Sequence, residues 1–169
     1  GAGAEGLRKY AGSSGVIMSS DEAMKIRDNW LTTYSGIRDW QMEMNYLSRS
    51  TEGDEWPETR VPVSNMRRFL KGDLNRTTVR CNTPIQGAGA AILKCALGNL
   101  WVKVKETGED KVRIAAAVHD ELILLVKEDL ADDWAEILKT TMENAEAKWL
   151  GDVPALAEVS IGDKWSEVH

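Results

Sequence analysis

The chain has 169 residues, 43% of them hydrophobic, with a net charge of −6. That length suits one domain or a large part of one, and the composition suits a globular protein with a core to bury. The acidic balance argues against nucleic-acid binding over the whole surface, and no apolar run reaches the ~20 residues of a membrane span.

Gly1, Gly3, Gly6, Gly12 and Gly15 argue against a long uninterrupted helix over residues 1–18. The chain opens GAGAEG without a Met and without a basic-then-apolar signal segment, as a fragment or a tagged chain would. Ser19, with Glu22 three residues on, has the form of a capping box. Apolar residues follow at Ala23, Ile26, Trp30, Tyr34, Ile37, Trp40 and Met44, the spacing of one buried helical face. The pattern predicts a single helix to Leu47 or Arg49.

Residues 50–64 hold Gly53, Pro57 and Pro62 among charges and read as loop, with a short hairpin around Arg60 to Val63. Within residues 60–80, Arg60, Arg67, Arg68, Lys71, Arg76 and Arg80 stand against one acid, Asp73. Such a segment is either a solvated face or a phosphate-contacting surface. Pro84 reads as the first turn of a new helix. Gly87, Ala88, Gly89, Ala90 and Ala91 follow, and small residues let a helix approach a neighbour or a ligand closely; packing is the commoner reason. Cys81 and Cys95, in segments that read as loop and helix, lack zinc-ligand spacing and read as reduced thiols.

After Gly108, Val112 to Val118 and Leu122 to Val126 are apolar runs of strand length. Residues 129–149 predict an amphipathic helix with Leu130, Trp134, Ile137, Leu138, Met142, Ala145 and Trp149 near one face, ended by Gly151. Ala157 to Ile161 predicts a last strand before the tail GDKWSEVH. The whole reads as one α+β unit with no linker long enough to divide it.

Between the two apolar runs lie His119, Asp120 and Glu121. Unpaired charge is costly to bury, so the triplet is expected at the turn of an antiparallel hairpin. A carboxylate held on a tight turn suits Mg²⁺, which prefers oxygen donors. Adjacent residues of a strand face opposite sides, so at least one further ligand would have to come from elsewhere. On these residues alone, a solvated turn remains the commoner reading.

Wider context adds a resemblance. NTPIQGAGAAILK at 82–94, VHDEL at 118–122 and IGDKWSEVH at 161–169, with GAGAEGL at the start, resemble the C-terminal part of family A DNA polymerases, in the family's order and over essentially the whole chain. The resemblance implies part of a right-hand polymerase fold: an antiparallel palm β-sheet with a hairpin, plus packed helices. Residues 1–80 would be distal fingers and connecting helices. Residues 81–169 would be palm, with the Q-G helix, the VHDEL hairpin and the C-terminal strand. Asp120 matches the aspartate that binds two catalytic Mg²⁺ ions, Glu121 its supporting carboxylate, and His119 the histidine beside the primer terminus. Asn82 and Gln86 match residues that contact template–primer DNA, and His169 matches the terminal histidine near the palm site.

Minor-groove acceptors occur on every Watson–Crick pair, so an amide such as Gln86 can check pair geometry without reading sequence. Arg67, Arg68, Arg76 and Arg80 would hold duplex phosphates, which position without specifying. The other implied partners are a dNTP and an N-terminal polymerase portion, in the cytoplasm of a bacterium or phage-infected host. Ala91 stands where bacterial members usually carry Asp, and the Gly1-Ala2-Gly3 start also leans towards the phage type. Thr78 stands where the family often has arginine, which leaves the primer-strand contact open, with Arg76 and Arg80 as the candidate substitutes. The first metal aspartate and the triphosphate-binding fingers helix are not in this sequence, so the chain is expected not to polymerise alone. The alternatives are a non-catalytic duplex-binding module, a fragment of a single-subunit RNA polymerase, and an unrelated α+β domain with a solvated turn.

Overall fold

The computed structural model describes residues 3–47, 57–72 and 76–168. The fold is α+β: helices α1 (Ala4–Ser13), α2 (Ser20–Thr33) and α3 (Ser35–Leu47), strands β1 (Glu58–Arg60) and β2 (Arg67–Phe69), helix α4 (Thr77–Thr107), strands β3 (Val112–Val118) and β4 (Glu121–Val126), and helix α5 (Ala131–Leu150). Each strand pair forms its own antiparallel two-stranded sheet. The chain divides into two compact units, Gly1–Gly87 and Ala88–His169. Among the described residues no helix is long and apolar enough to cross a membrane.

In the first unit, the glycine-rich start holds a ten-residue helix, short as its glycines require. It ends at Gly15, whose φ of +80° only glycine adopts freely, while the Val16 N–H returns to the Ala11 carbonyl. Ser19 caps α2 as expected. Its hydroxyl accepts from the Glu22 N–H, and the Glu22 carboxylate accepts from the Ser19 N–H at 2.7 Å. The single long helix predicted from there is two, broken at Tyr34 (φ −103°, ψ 60°). Thr32, Thr33, Ser35 and Gly36 surround the break, all weak helix formers. The Thr32 and Thr33 hydroxyls also bond back to the carbonyls of Asp28 and Asn29, which favours bending. The expected buried face is not buried either. Ala23 is fully enclosed, whereas Ile26, Trp30, Tyr34 and Ile37 are exposed.

The hairpin around Arg60 to Val63 is present as β1–β2, in register Glu58↔Phe69 to Arg60↔Arg67. The next helix starts at Thr77, so Pro84 lies inside α4 and not in its first turn. Both cysteines are on α4 and are free; burial pushes the Cys81 thiol up.

The second unit is built around Ala96, Leu100 and Val104 of α4, Val112 of β3, Leu122 of β4, and Trp134 and Ala145 of α5. β3 and β4 run from Val112↔Val126 to Val118↔Glu121, with one extra residue on β3 between Ile114 and Ala116. Helix α5 ends at Gly151 (φ +58°), as its sequence predicts. Trp149, placed on the buried face by periodicity, is exposed near the end of α5, and the buried Thr141 takes a place on that face. The predicted strand over Ala157 to Ile161 does not form. A strand exists only with a partner edge, and β3 and β4 pair only with each other among the described residues.

Candidate functional site

The β3–β4 hairpin brings His119, Asp120 and Glu121 together at its tip. Val118 pairs with Glu121, which leaves His119 and Asp120 as a two-residue loop. Two-residue loops need left-handed backbone, and His119 supplies it at φ +55°. Few residues other than glycine adopt that conformation, histidine more readily than most, and the two-residue loop calls for it here. Asp120 is exposed and Glu121 half-buried at the start of β4. Leu122, two residues after Asp120, is buried in the core and ties the exit of the loop to it. The tip is therefore an exposed carboxylate carried on a short hairpin arm.

Oxygen donors on such an arm suit a hard divalent cation such as Mg²⁺. Among the described residues no three His, Cys, Asp or Glu side chains gather as a metal-binding group. Asp120 and Glu121 by themselves offer carboxylate oxygens of the kind such an ion takes. His169 lies outside the described residues.

The other predicted residues belong to the first unit. Asn82 and Gln86 are one helical turn apart on α4, and both are exposed, as is Ile85 between them. The arginines are more engaged than their sequence suggests. Arg67 and Arg60 both pair with Glu58, at 2.5 and 2.9 Å. Hydrogen bonding from Arg67, with Arg60 beside it, holds the Glu58 carboxyl below its usual range. Arg67 also lies 5.1 Å from the Phe69 ring centre. Arg68 donates from Nη1 to the Thr83 hydroxyl at 3.2 Å, and Arg80 donates to the Asn45 carbonyl at 3.2 Å. Arg76 is exposed just before α4.

Residues that sequence reasoning did not single out hold this region. Pro84 lacks an N–H, so the Arg80 carbonyl four residues back loses its helical partner. The buried Thr59 hydroxyl faces that carbonyl at 3.5 Å, the outer limit of a hydrogen bond. Thr83, also buried, donates to the Val79 carbonyl at 2.8 Å. Val61 packs against Gly87 so closely that a Cβ there would sit 2.3 Å from Val61 Cγ2. Pro84 read as a first-turn residue hides this need for a donor, because only a proline inside a helix takes the N–H from the carbonyl four residues back.

The family described as DNA polymerase family A matches residues 1–167. The chain is 29% identical over 168 residues to DNA polymerase I of Aquifex aeolicus, covering 99% of this chain and 28% of that protein. It is 30% identical over 173 residues to DNA polymerase I of Pseudomonas aeruginosa, covering 97% of this chain and 18% of that protein. The chain therefore spans under a third of the length of these relatives. Among solved structures, the POL domain of Pol1 from M. smegmatis, in complex with DNA primer-template and dNTP, matches with a TM-score of 0.69 at 26% identity, over 90% of this chain and 26% of that one.

Proposed function

The chain belongs to DNA polymerase family A, and we propose that it is the C-terminal palm-and-fingers portion of a cytoplasmic DNA-directed DNA polymerase, transferring nucleotides to a primer 3′ end by a two-Mg²⁺ mechanism. Residues 1–80 are assigned to the distal fingers and connecting helices, and residues 81–169 to the palm. The observation that carries the reading is the tip of β3–β4, where a two-residue loop holds Asp120 out in solvent beside Glu121.

Phosphoryl transfer is mostly a matter of placing the attacking oxygen in line and neutralising developing charge. Asp120, together with further carboxylates, would hold Mg²⁺, which when bound would supply that neutralisation. What this chain does is hold. The β3–β4 ladder sets where Asp120 stands, and His119 stands next to it for the primer terminus. Asn82 and Gln86 present amides on one exposed face of α4, suited to minor-groove acceptors. The M. smegmatis relative's complex with primer-template and dNTP supports DNA and a nucleotide as partners.

The test is primer extension by this chain combined with an upstream family A portion, in Mg²⁺. The expected result is extension that requires both parts and is lost in Asp120→Ala, with the variant's circular dichroism unchanged because the residue is exposed. Extension that survives Asp120→Ala would overturn the role of the tip.

A further inference from the structure

We propose that the β1–β2 hairpin is a brace for the start of α4, and that Thr59 and Val61 are positioning residues for the Asn82–Gln86 face. The proposal rests on the reading above that this face meets the primer–template duplex.

Three contacts join the hairpin to the helix. The Thr59 hydroxyl points at the Arg80 carbonyl that Pro84 strands. The Arg68 guanidinium donates to Thr83. The fully buried Val61 side chain fills the place where a side chain at position 87 would begin. Positions 80, 83 and 87 recur at three- and four-residue steps and so lie along one side of α4. Asn82, Ile85 and Gln86 lie on the other side and are exposed. The hairpin therefore grips the helix from behind the face that would meet DNA.

A brace is needed at this place. A proline within a helix removes one hydrogen bond and favours a kink. Pro84 lies between Asn82 and Gln86, so a kink there would turn one amide relative to the other. Two amides that test base-pair geometry must hold their spacing more closely than a mispair disturbs it. A misplacement of about 1 Å is enough to cost a reaction about a hundredfold. Thr59 gives the stranded carbonyl a donor, and Val61 against Gly87 fixes how closely helix and hairpin approach.

The decisive variant is Thr59→Val, which keeps the shape and removes the hydroxyl, with Thr59→Ser as the conservative rescue. Two measurements are made. Amide hydrogen exchange is followed over residues 77–87, with residues 131–150 as the internal control. Primer extension with the upstream portion compares matched and mispaired primer ends. Thr59→Val is expected to speed exchange over 77–87 alone. It is also expected to raise mispair extension relative to matched extension by roughly three- to tenfold, the size of one hydrogen bond. The kcat on matched ends should change by less than that factor, because a matched pair keeps its minor-groove acceptors in their regular places. Thr59→Ser should restore both readings. Unchanged exchange over 77–87 overturns the brace. Faster exchange with unchanged discrimination, or with matched and mispaired extension falling together, overturns the positioning role. If the wild-type combination extends no primer while Thr59→Val still loosens 77–87, the brace stands and the polymerase reading fails, taking the positioning role with it.

Discussion

Helix α5 and the pair α2–α3 read alike in sequence and end differently in the fold. Each has large apolar residues at three- and four-residue steps. On α5, Trp134 is 3% exposed, enclosed with Leu100, Val112 and Leu122. On α2, Trp30 is 45% exposed, touching Tyr34 with ring centres 5.1 Å apart. Periodicity states which side of a helix is apolar. What covers that side is decided elsewhere in the chain, and α5 has a sheet and α4 to pack on. A packed helix draws its stability from burial, whereas one with an uncovered face depends on local terms such as caps.

The largest expected effect tests that division directly. Trp134→Ala should destabilise the second unit by about 3–5 kcal/mol, the cost of emptying a core aromatic site. Trp30→Ala should cost about 1 kcal/mol or less, as surface changes do. Urea unfolding followed by far-UV circular dichroism separates them; equal costs would break the contrast. A second pair applies the same idea within α4. A methyl group at Gly87 meets Val61, so Gly87→Ala should cost about 1–3 kcal/mol through overpacking. Among the described residues nothing lies within 4 Å of where a Gly89 Cβ would stand. Gly89→Ala should therefore stabilise, by about 0.5–1 kcal/mol of helix propensity. Opposite signs two residues apart are the result to look for by the same unfolding measurement.

These pairs also show what can be read in advance. The capping box at Ser19, the end of α5 at Gly151 and the hairpin turn at His119–Asp120 are local, and each is legible because neighbouring residues decide it. The run of small residues from Gly87 left packing and ligand approach both open; Val61 decides for packing at Gly87, and nothing does at Gly89. Features that depend on distant partners were not legible. Pro84 sits inside α4 where Thr59, 21 positions before Arg80, reaches the stranded carbonyl. The strand expected over Ala157 to Ile161 has alternating character but pairs with no strand among the described residues. The break at Tyr34 was hidden because the apolar spacing continues across it while the backbone does not. In the candidate site, the triplet's exposure followed from the cost of burying charge. The left-handed backbone of His119 and the sharing of Glu58 by two arginines did not.

The smallest effects belong to the uncovered helix. Ser19→Ala should cost about 1 kcal/mol, the usual worth of an N-cap. Its reciprocal partner makes the same cap sensitive to acid. The Glu22 carboxyl is held below its ordinary range, first by the Ser19 N–H and then by the Ser19 hydroxyl. A carboxyl whose folded pKa is depressed contributes stability that is complete above the unfolded value, near 4.3, and is lost as pH falls through the folded value. Hydrogen exchange of the first turn of α2 should therefore quicken as pH drops below about 4, after correction for the intrinsic rate. Glu22→Gln keeps a side chain able to complete the box but cannot titrate, so its corrected profile should be flat over that range. A wild-type profile equally flat would mean that the box seen at Ser19 does not stabilise α2, leaving that helix without the local support its uncovered face requires.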